Sequence, residues 1–504
     1  MSSDQLKQSA RSSLKEEALN DVEVNYAGTP LVPAQDVNLK ARFPNVDEAK
    51  LMRRIDLRVV PVLCILYVLA FLDRVNISNA AIFGLKQDLD LAGNEFNIAL
   101  VIFFVPYIVF EIPSNILLKR FKPHVWLSFC MFLFGLVTVL QGLVQNYSGL
   151  LATRFFLGFV EAGVFPACFY LISMWYKRSE TQKRYSFFNS STTLAGAFGG
   201  LLASAIGKMD GLRGFSGWRW IFIIEGAATC VISALFYFMI SDFPEDATWL
   251  TPEEKEFVKA RLYEDVGYSR RHEPLTIRNA WDILKDYKIL IGGVMYFGLI
   301  VPAYGYAYFA PSIIQSLGHG NIQTQLLSVP PWACSFAFSM LVATASDHFR
   351  HRFLFVLFPT AVTLTGFLIL LIKHDNMHVQ YGALFLAVMG TYSAIPVIVC
   401  WFNTNLGGHH RRAVATAWQV GFGNIGGIIA VFAFLAKDAP RYIPGYSICI
   451  AFIGVSVAAD FAYFYIVRSE NKRRDAMQAK GDSGLSADEK KLMGDLNPDY
   501  RYFL

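Results

Sequence analysis

The sequence predicts an all-α integral membrane protein with twelve transmembrane helices in two six-helix halves, and three observations carry that reading. Of its 504 residues 54% are hydrophobic and only 17% charged, where a soluble domain carries about 25% charged residues. Apolar runs recur from Val59 to Val467, each long enough to cross roughly 30 Å of hydrocarbon as a helix. One long polar stretch, 241–286, separates six such runs from six more.

In chain order the predicted spans are 58–82, 94–117, 123–143, 148–172, 185–206 and 218–240, then 288–314, 323–346, 351–373, 379–402, 412–435 and 442–467. The corresponding organisation is a tail (1–55), a first half (56–240), a linker (241–287), a second half (288–467) and a second tail (468–504). The first 55 residues have no apolar core and so read as neither signal nor transit peptide. In the linker, Thr251-Pro252-Glu253-Glu254 reads as a helix start.

Lys and Arg set the expected orientation. Lys119, Arg120 and Lys122 follow span two; Lys177, Arg178, Lys183 and Arg184 follow span four; Arg350, Arg352, Arg411, Arg412 and the group Arg468, Lys472, Arg473 and Arg474 continue the pattern. The connections after spans three and seven have no Lys or Arg, while Lys208, Arg213 and Arg219 in the fifth weaken the bias. Both termini are therefore expected in the cytoplasm. The basic residues form short clusters between apolar runs rather than one face, which argues against a nucleic-acid footprint. All seven cysteines lie inside apolar runs without disulfide or metal spacing.

The halves carry a repeat. Arg184 precedes Gly199-Gly200 by fifteen and sixteen residues, Arg411 precedes Gly426-Gly427 by the same distances, and Trp175 and Trp401 precede the arginines by nine and ten. With six spans on each side, this spacing favours parallel halves related by an axis along the membrane normal.

Ionisable residues at membrane depth are costly and point to function. Asp73 and Arg74 lie in span one, Glu111 in span two, Arg154 and Glu161 in span four, and Asp460 in span twelve. Seven residues put Arg154 and Glu161 on one helix face, about 10.5 Å apart along the axis. Arginine stays charged and offers a fork of donors to a carboxylate; a glutamate can exchange a proton, so together they could bind an anion and a proton. Asp73 and Arg74 are about 100° apart around their helix and are not expected to face one point. Tyr107, Tyr304 and Asn424 are candidate substrate contacts, with packing as the plain alternative for each. Glu111, Glu225 and Asp460, nearer the span ends, are set aside as structural.

The stretches Phe71-Leu72-Asp73-Arg74-Val75-Asn76-Ile77, Tyr107 with Glu111-Ile112-Pro113-Ser114-Asn115, and Arg154-Phe155-Phe156-Leu157-Gly158 with Glu161-Ala162-Gly163 and Pro166 carry a resemblance. Over roughly residues 50 to 470 the chain resembles the major facilitator superfamily, within it the anion:cation symporters, and especially their fungal allantoate and nicotinate permease-like branch. The resemblance implies anion recognition and proton coupling by residues matching Asp73, Arg74, Arg154 and Glu161, and a seventh-helix tyrosine matching Tyr304 before Pro311. It also implies that Gly217-Trp218-Arg219-Trp220 and Glu225 form a structural motif. The superfamily's acidic loop position after helix two is Lys119 here, while the second half keeps Asp347 with His348 beside it.

The expected activity is proton-coupled symport of a small organic anion, such as a vitamin or ureide carboxylate. Arg74, Arg154, Tyr107, Tyr304 and Asn424 are expected at the substrate, and Glu161 and Asp73 at the proton. The alternatives are an anion antiporter or exporter, and a non-transporting nutrient receptor. No enzymatic activity, cofactor, metal or nucleic-acid partner is expected; the expected setting is a monomer in the plasma membrane.

Overall fold

A computed structural model describes residues 42–118, 121–266, 277–349, 351–407, 409–479, 495, 497 and 500–504. Of the basic residues used above, Lys119, Arg120 and Arg350 lie outside these. The long helices are α1 (Glu48–Ile82), α2 (Glu95–Leu118), α3 (Pro123–Gly142), α4 in two pieces (Tyr147–Glu161 and Val164–Trp175), α5 (Arg178–Ile206), α6 (Gly217–Met239), α7 (Tyr287–Ser316), α8 (Asn321–Phe349), α9 (Arg352–Ile372), α10 (Met377–Thr404), α11 (His409–Ala433) and α12 (Ile443–Gln478). Among the described residues ten are long and apolar enough to cross a membrane, by length and composition; α2 and α5 complete the twelve. The polar run Asn189–Thr193 in α5 is accommodated because Ser190, Thr192 and Thr193 donate their hydroxyls to carbonyls one turn back, at 2.7–2.8 Å.

Several helices outrun their predicted spans. Composition marks only the apolar middle, whereas the helix continues into polar turns until a cap ends it. Thus α1 begins ten residues before the expected 58, where the Asp47 carboxylate accepts from the amides of Ala49 and Lys50 at 3.0 and 3.2 Å. Asn146 starts α4 in the same way, accepting from Gly149 N at 2.8 Å. The linker helix Pro252–Val266 begins with a reciprocal capping box between Thr251 and Glu254.

The two halves have the same internal neighbours. α1 packs on α5 and α6, α2 on α4, and α3 on α4 and α6; correspondingly α7 packs on α11 and α12, α8 on α10, and α9 on α10 and α12. Between the halves, α5 meets α8 and α10, α2 meets α11, and α1 meets α7. The repeated glycines explain part of this pattern. A Cβ on Gly200 would press on Gln325 and Ser328 of α8, and one on Gly427 would press on Phe104 of α2; each is a contact with the opposite half. Gly199 faces Asn79 of α1 and Gly426 faces α7, each within its own half.

The other repeated residues gather at the membrane face that carries the linker, here called the linker face. Arg184 binds Asp56 at 2.6 and 2.8 Å, and Arg411 binds Asp286 and, at 3.1 Å, Asp495. Trp175 donates its indole N–H to the Asp242 carbonyl at 3.1 Å, and Trp401 donates to that of Phe503 at 2.9 Å. In each half, therefore, the segment after the sixth helix returns to the end of the fourth. In the second half Tyr502 and Phe503 are also held by Asn471 and Asn405, and Arg474 of α12 donates to the carbonyls of Asp495, Asn497 and Tyr500. Trp401→Phe keeps the packing and removes one indole bond. It is expected to cost about 1 kcal/mol in detergent unfolding, whereas removing residues 500–504 should cost several times that.

Candidate functional site

Near the middle of the bundle, four helices bring polar side chains to one point. Arg74 of α1 donates from Nε and Nη2 to one carboxylate oxygen of Glu161 at 3.0 and 2.5 Å, and from Nη1 to the Tyr304 hydroxyl of α7 at 2.6 Å. Tyr304 in turn donates its hydroxyl to Asn424 Oδ1 of α11 at 3.1 Å. The guanidinium lies over the rings of Phe103 and Tyr107 of α2, at 5.1 and 4.9 Å from their centroids. Each of these side chains is buried.

Arg154 sits behind this centre. Its guanidinium donates to the Arg74 carbonyl at 3.3 and 3.4 Å and lies 5.4 Å from the Phe103 centroid. Arg154 is 0% exposed, and among the described residues no carboxylate lies within ion-pair distance of it. Among the described residues, the second Glu161 oxygen and both Glu111 oxygens are buried without a hydrogen-bond partner. Two buried cations thus stand beside a single directly bound carboxylate, which pairs with Arg74.

The local backbone explains where Glu161 points. α4 breaks at Ala162-Gly163, leaving Glu161 at the end of its first piece. A side chain at Gly163 would collide with Ser114 Oγ, and one at Gly158 with the Phe103 carbonyl, so α4 lies directly on α2 at both positions. That close approach puts Glu161 beside the Arg74 stacked on α2.

Spacing within α4 permits Arg154 and Glu161 to couple without forcing a direct ion pair. Arg154 and Glu161 are not a direct pair; Glu161 is bound by Arg74, 87 residues away. The adjacent Asp73 faces away as the 100° offset requires. It is buried toward α6, within electrostatic reach of Glu225 and beside the Thr229 hydroxyl. Asn76 of α1 donates to Glu225 at 2.5 Å, and Trp218 and Arg219 tie the far end of α6 to Asp88 and to the carbonyls of Gly142 and Val144. In the second half Asp347 binds Arg352 at 2.9 Å.

Phe103 and Tyr308 at this centre escaped the sequence reading, although each lies four residues from a candidate named there. Phe103, Tyr107 and Glu111 recur every four residues on α2, and Tyr304 and Tyr308 do so on α7, their rings stacked with centroids 5.7 Å apart. That i, i+4 spacing is a readable sign of one shared face. Glu111, set aside as too near a span end, is 1% exposed, and a Cβ on Gly421 of α11 would come within 3.5 Å of its Oε2.

A twelve-helix membrane body with matching halves and a charged, buried centre between them defines a membrane transporter. The chain belongs to the Major Facilitator Superfamily, whose family model matches residues 63–431. It is 33% identical over 488 residues to an uncharacterized transporter of Schizosaccharomyces pombe, covering 96% of each chain. It is also 33% identical over 499 residues to the major facilitator-type transporter hxnP of Emericella nidulans, covering 96% and 99%, and 32% identical over 486 residues to the MFS-type transporter cnsO of Penicillium expansum, covering 93% of each. Among solved structures it is similar to an inward-facing, occupied bacterial homolog of the human lysosomal transporter Spinster. The TM-score is 0.59 at 14% identity, with 81% of this chain and 96% of that one covered, and this likeness concerns the fold.

Proposed function

We propose that the protein carries a small organic anion together with a proton, in symport. The observation that supports this most is Arg154, a buried guanidinium with no carboxylate partner among the described residues, next to an Arg74–Glu161 pair. An uncompensated buried cation is unfavourable, and an anionic substrate would supply the missing charge. A carboxylate suits the two forks of donors better than a point-charge ligand would.

Coupling follows from competition for Arg74. With no substrate, ionised Glu161 is its counter-ion. Protonation of Glu161 removes that charge and frees Arg74 for the incoming anion, so each ligand strengthens binding of the other. Tyr304 and Asn424, from the second half, complete the contact, and Tyr107 is the face on which Arg74 rests. Asp73, beside Glu225 and off this centre, is the second proton candidate. In this reading the six-helix halves rock about the centre. The linker face is cytoplasmic, and the carrier works as a monomer in the plasma membrane.

Glu161→Gln tests the coupling because it imitates the protonated state. With a carboxylate chosen by its thermal stabilisation of the purified carrier, the variant in proteoliposomes should keep counterflow exchange and lose accumulation driven by an inward proton gradient. Wild-type proton-driven accumulation in Glu161→Gln would remove Glu161 from the coupling, leaving Asp73 as the group to test.

A further inference from the structure

A second cleft lies at the far membrane face, between the halves. It has a volume of about 270 Å³ and is lined by Lys86 and Asn97 of the first half and by Phe309, Gln315 and Phe434 of the second, among others. Lys86 stands in the short helix after α1. Its ammonium rests 4.2 Å from the centroid of the Phe96 ring, and among the described residues it makes no ion pair. Burial lowers the Lys86 pKa below the usual lysine value.

The wall opposite is aromatic, with Phe309 and Phe434 stacked at 5.2 Å. Phe309 is followed inward along α7 by Tyr308, which stacks on Tyr304, the residue bound to Arg74. One contact between the halves stands beside this route: Asn97 of α2 donates to the carbonyls of Val431 and Phe434 at 2.7 and 3.4 Å.

We propose that this cleft is a separate binding site for a small aromatic carboxylate, an anteroom to the central site. The Lys86 ammonium holds the carboxylate, and the Phe96, Phe309 and Phe434 rings hold the apolar body. Parting of α2 from α11 at Asn97 then opens the way to Arg74. A cation without an ion-pair partner among the described residues selects an anion, while aromatic walls select a ring over a strongly hydrated inorganic ion. The volume suits a single ring better than a larger ligand. The anteroom role rests on the anion-transport reading above, but the existence of the site does not.

The test uses benzoate as probe and benzamide as its neutral counterpart. Purified full-length protein in detergent is treated with a water-soluble amine-acetylating reagent at constant ionic strength, and the rate of Lys86 modification is followed by peptide mass spectrometry. Benzoate should slow that rate saturably, by roughly tenfold at ten times its dissociation constant, while benzamide leaves it unchanged. The protection should persist in Arg154→Gln, which alters the central site alone. Equal effects of the two probes, no protection, or protection lost in Arg154→Gln would each overturn the proposal. Proton-driven uptake is measured separately: protection of Lys86 without such uptake would sink the symport reading and leave the binding site standing, whereas uptake without protection would overturn the site and leave the symport reading standing.

Discussion

Arg74→Gln is expected to destabilise the ligand-free carrier by about 3–5 kcal/mol, and adding Glu161→Gln to it should recover much of that loss. Arg74 and Glu161 are both buried and joined through one carboxylate oxygen. Removing the guanidinium leaves a carboxylate in a low-dielectric interior with its principal donors gone. Removing both charges leaves two amides that can hydrogen-bond to each other and to Tyr304. The measurement is a double-mutant cycle by reversible unfolding of purified protein. Strict additivity of the two single effects would mean that the pair is not coupled as the geometry requires. Transport should behave differently from stability: the double variant regains folding but not proton-driven accumulation, because it has neither the proton acceptor nor the anion's donor.

Gly158→Ala and Gly454→Ala should have opposite signs. In an unobstructed helix, alanine stabilises relative to glycine by about 1 kcal/mol. A methyl added at Gly454 of α12 would meet nothing within 4 Å, so this position should show that gain. At Gly158 the same methyl would sit 2.1 Å from the Phe103 carbonyl oxygen. That obstacle is backbone and cannot rotate away, so α4 must move off α2 at a cost of about 1–3 kcal/mol. Arg154 is four residues before Gly158 and Glu161 three after, so the shift would also move Glu161 from Arg74. Thermal unfolding and uptake should therefore fall together in Gly158→Ala, while Gly454→Ala melts higher with unchanged uptake. A stabilised Gly158→Ala protein would contradict the close contact of α2 and α4.

Much of the fold was legible because a membrane imposes a one-dimensional code. Hydrocarbon thickness demands long apolar runs, so all twelve helices were recognisable from local composition, including α5 despite its run of hydroxyl residues. Repeated spacing likewise exposed the pairing of Arg184 with Arg411 and of Trp175 with Trp401, because each pair meets the same local task in its half. The charges at depth, Asp73, Arg74, Arg154 and Glu161, were visible for the same reason: an ionisable residue stands out against an apolar run.

Partners, by contrast, depend on how helices are rotated and packed against one another, and no local window contains that information. Spacing along α4 put Arg154 and Glu161 on one face, yet the break at Ala162-Gly163 and the close packing on α2 gave Glu161 to Arg74, while Tyr304 reached the same guanidinium from 230 residues away. The sequence by itself determined the number of helices, their twofold repetition and which charges are carried into the membrane. Only the tertiary structure decided which charges meet, that Glu111 lies at the α2–α11 contact rather than at a span end, and that the chain returns after the sixth and twelfth helices to Trp175 and Trp401. Those outcomes depend on steric fit and hydrogen bonding between elements far apart in the chain, which hydrophobic patterning does not encode.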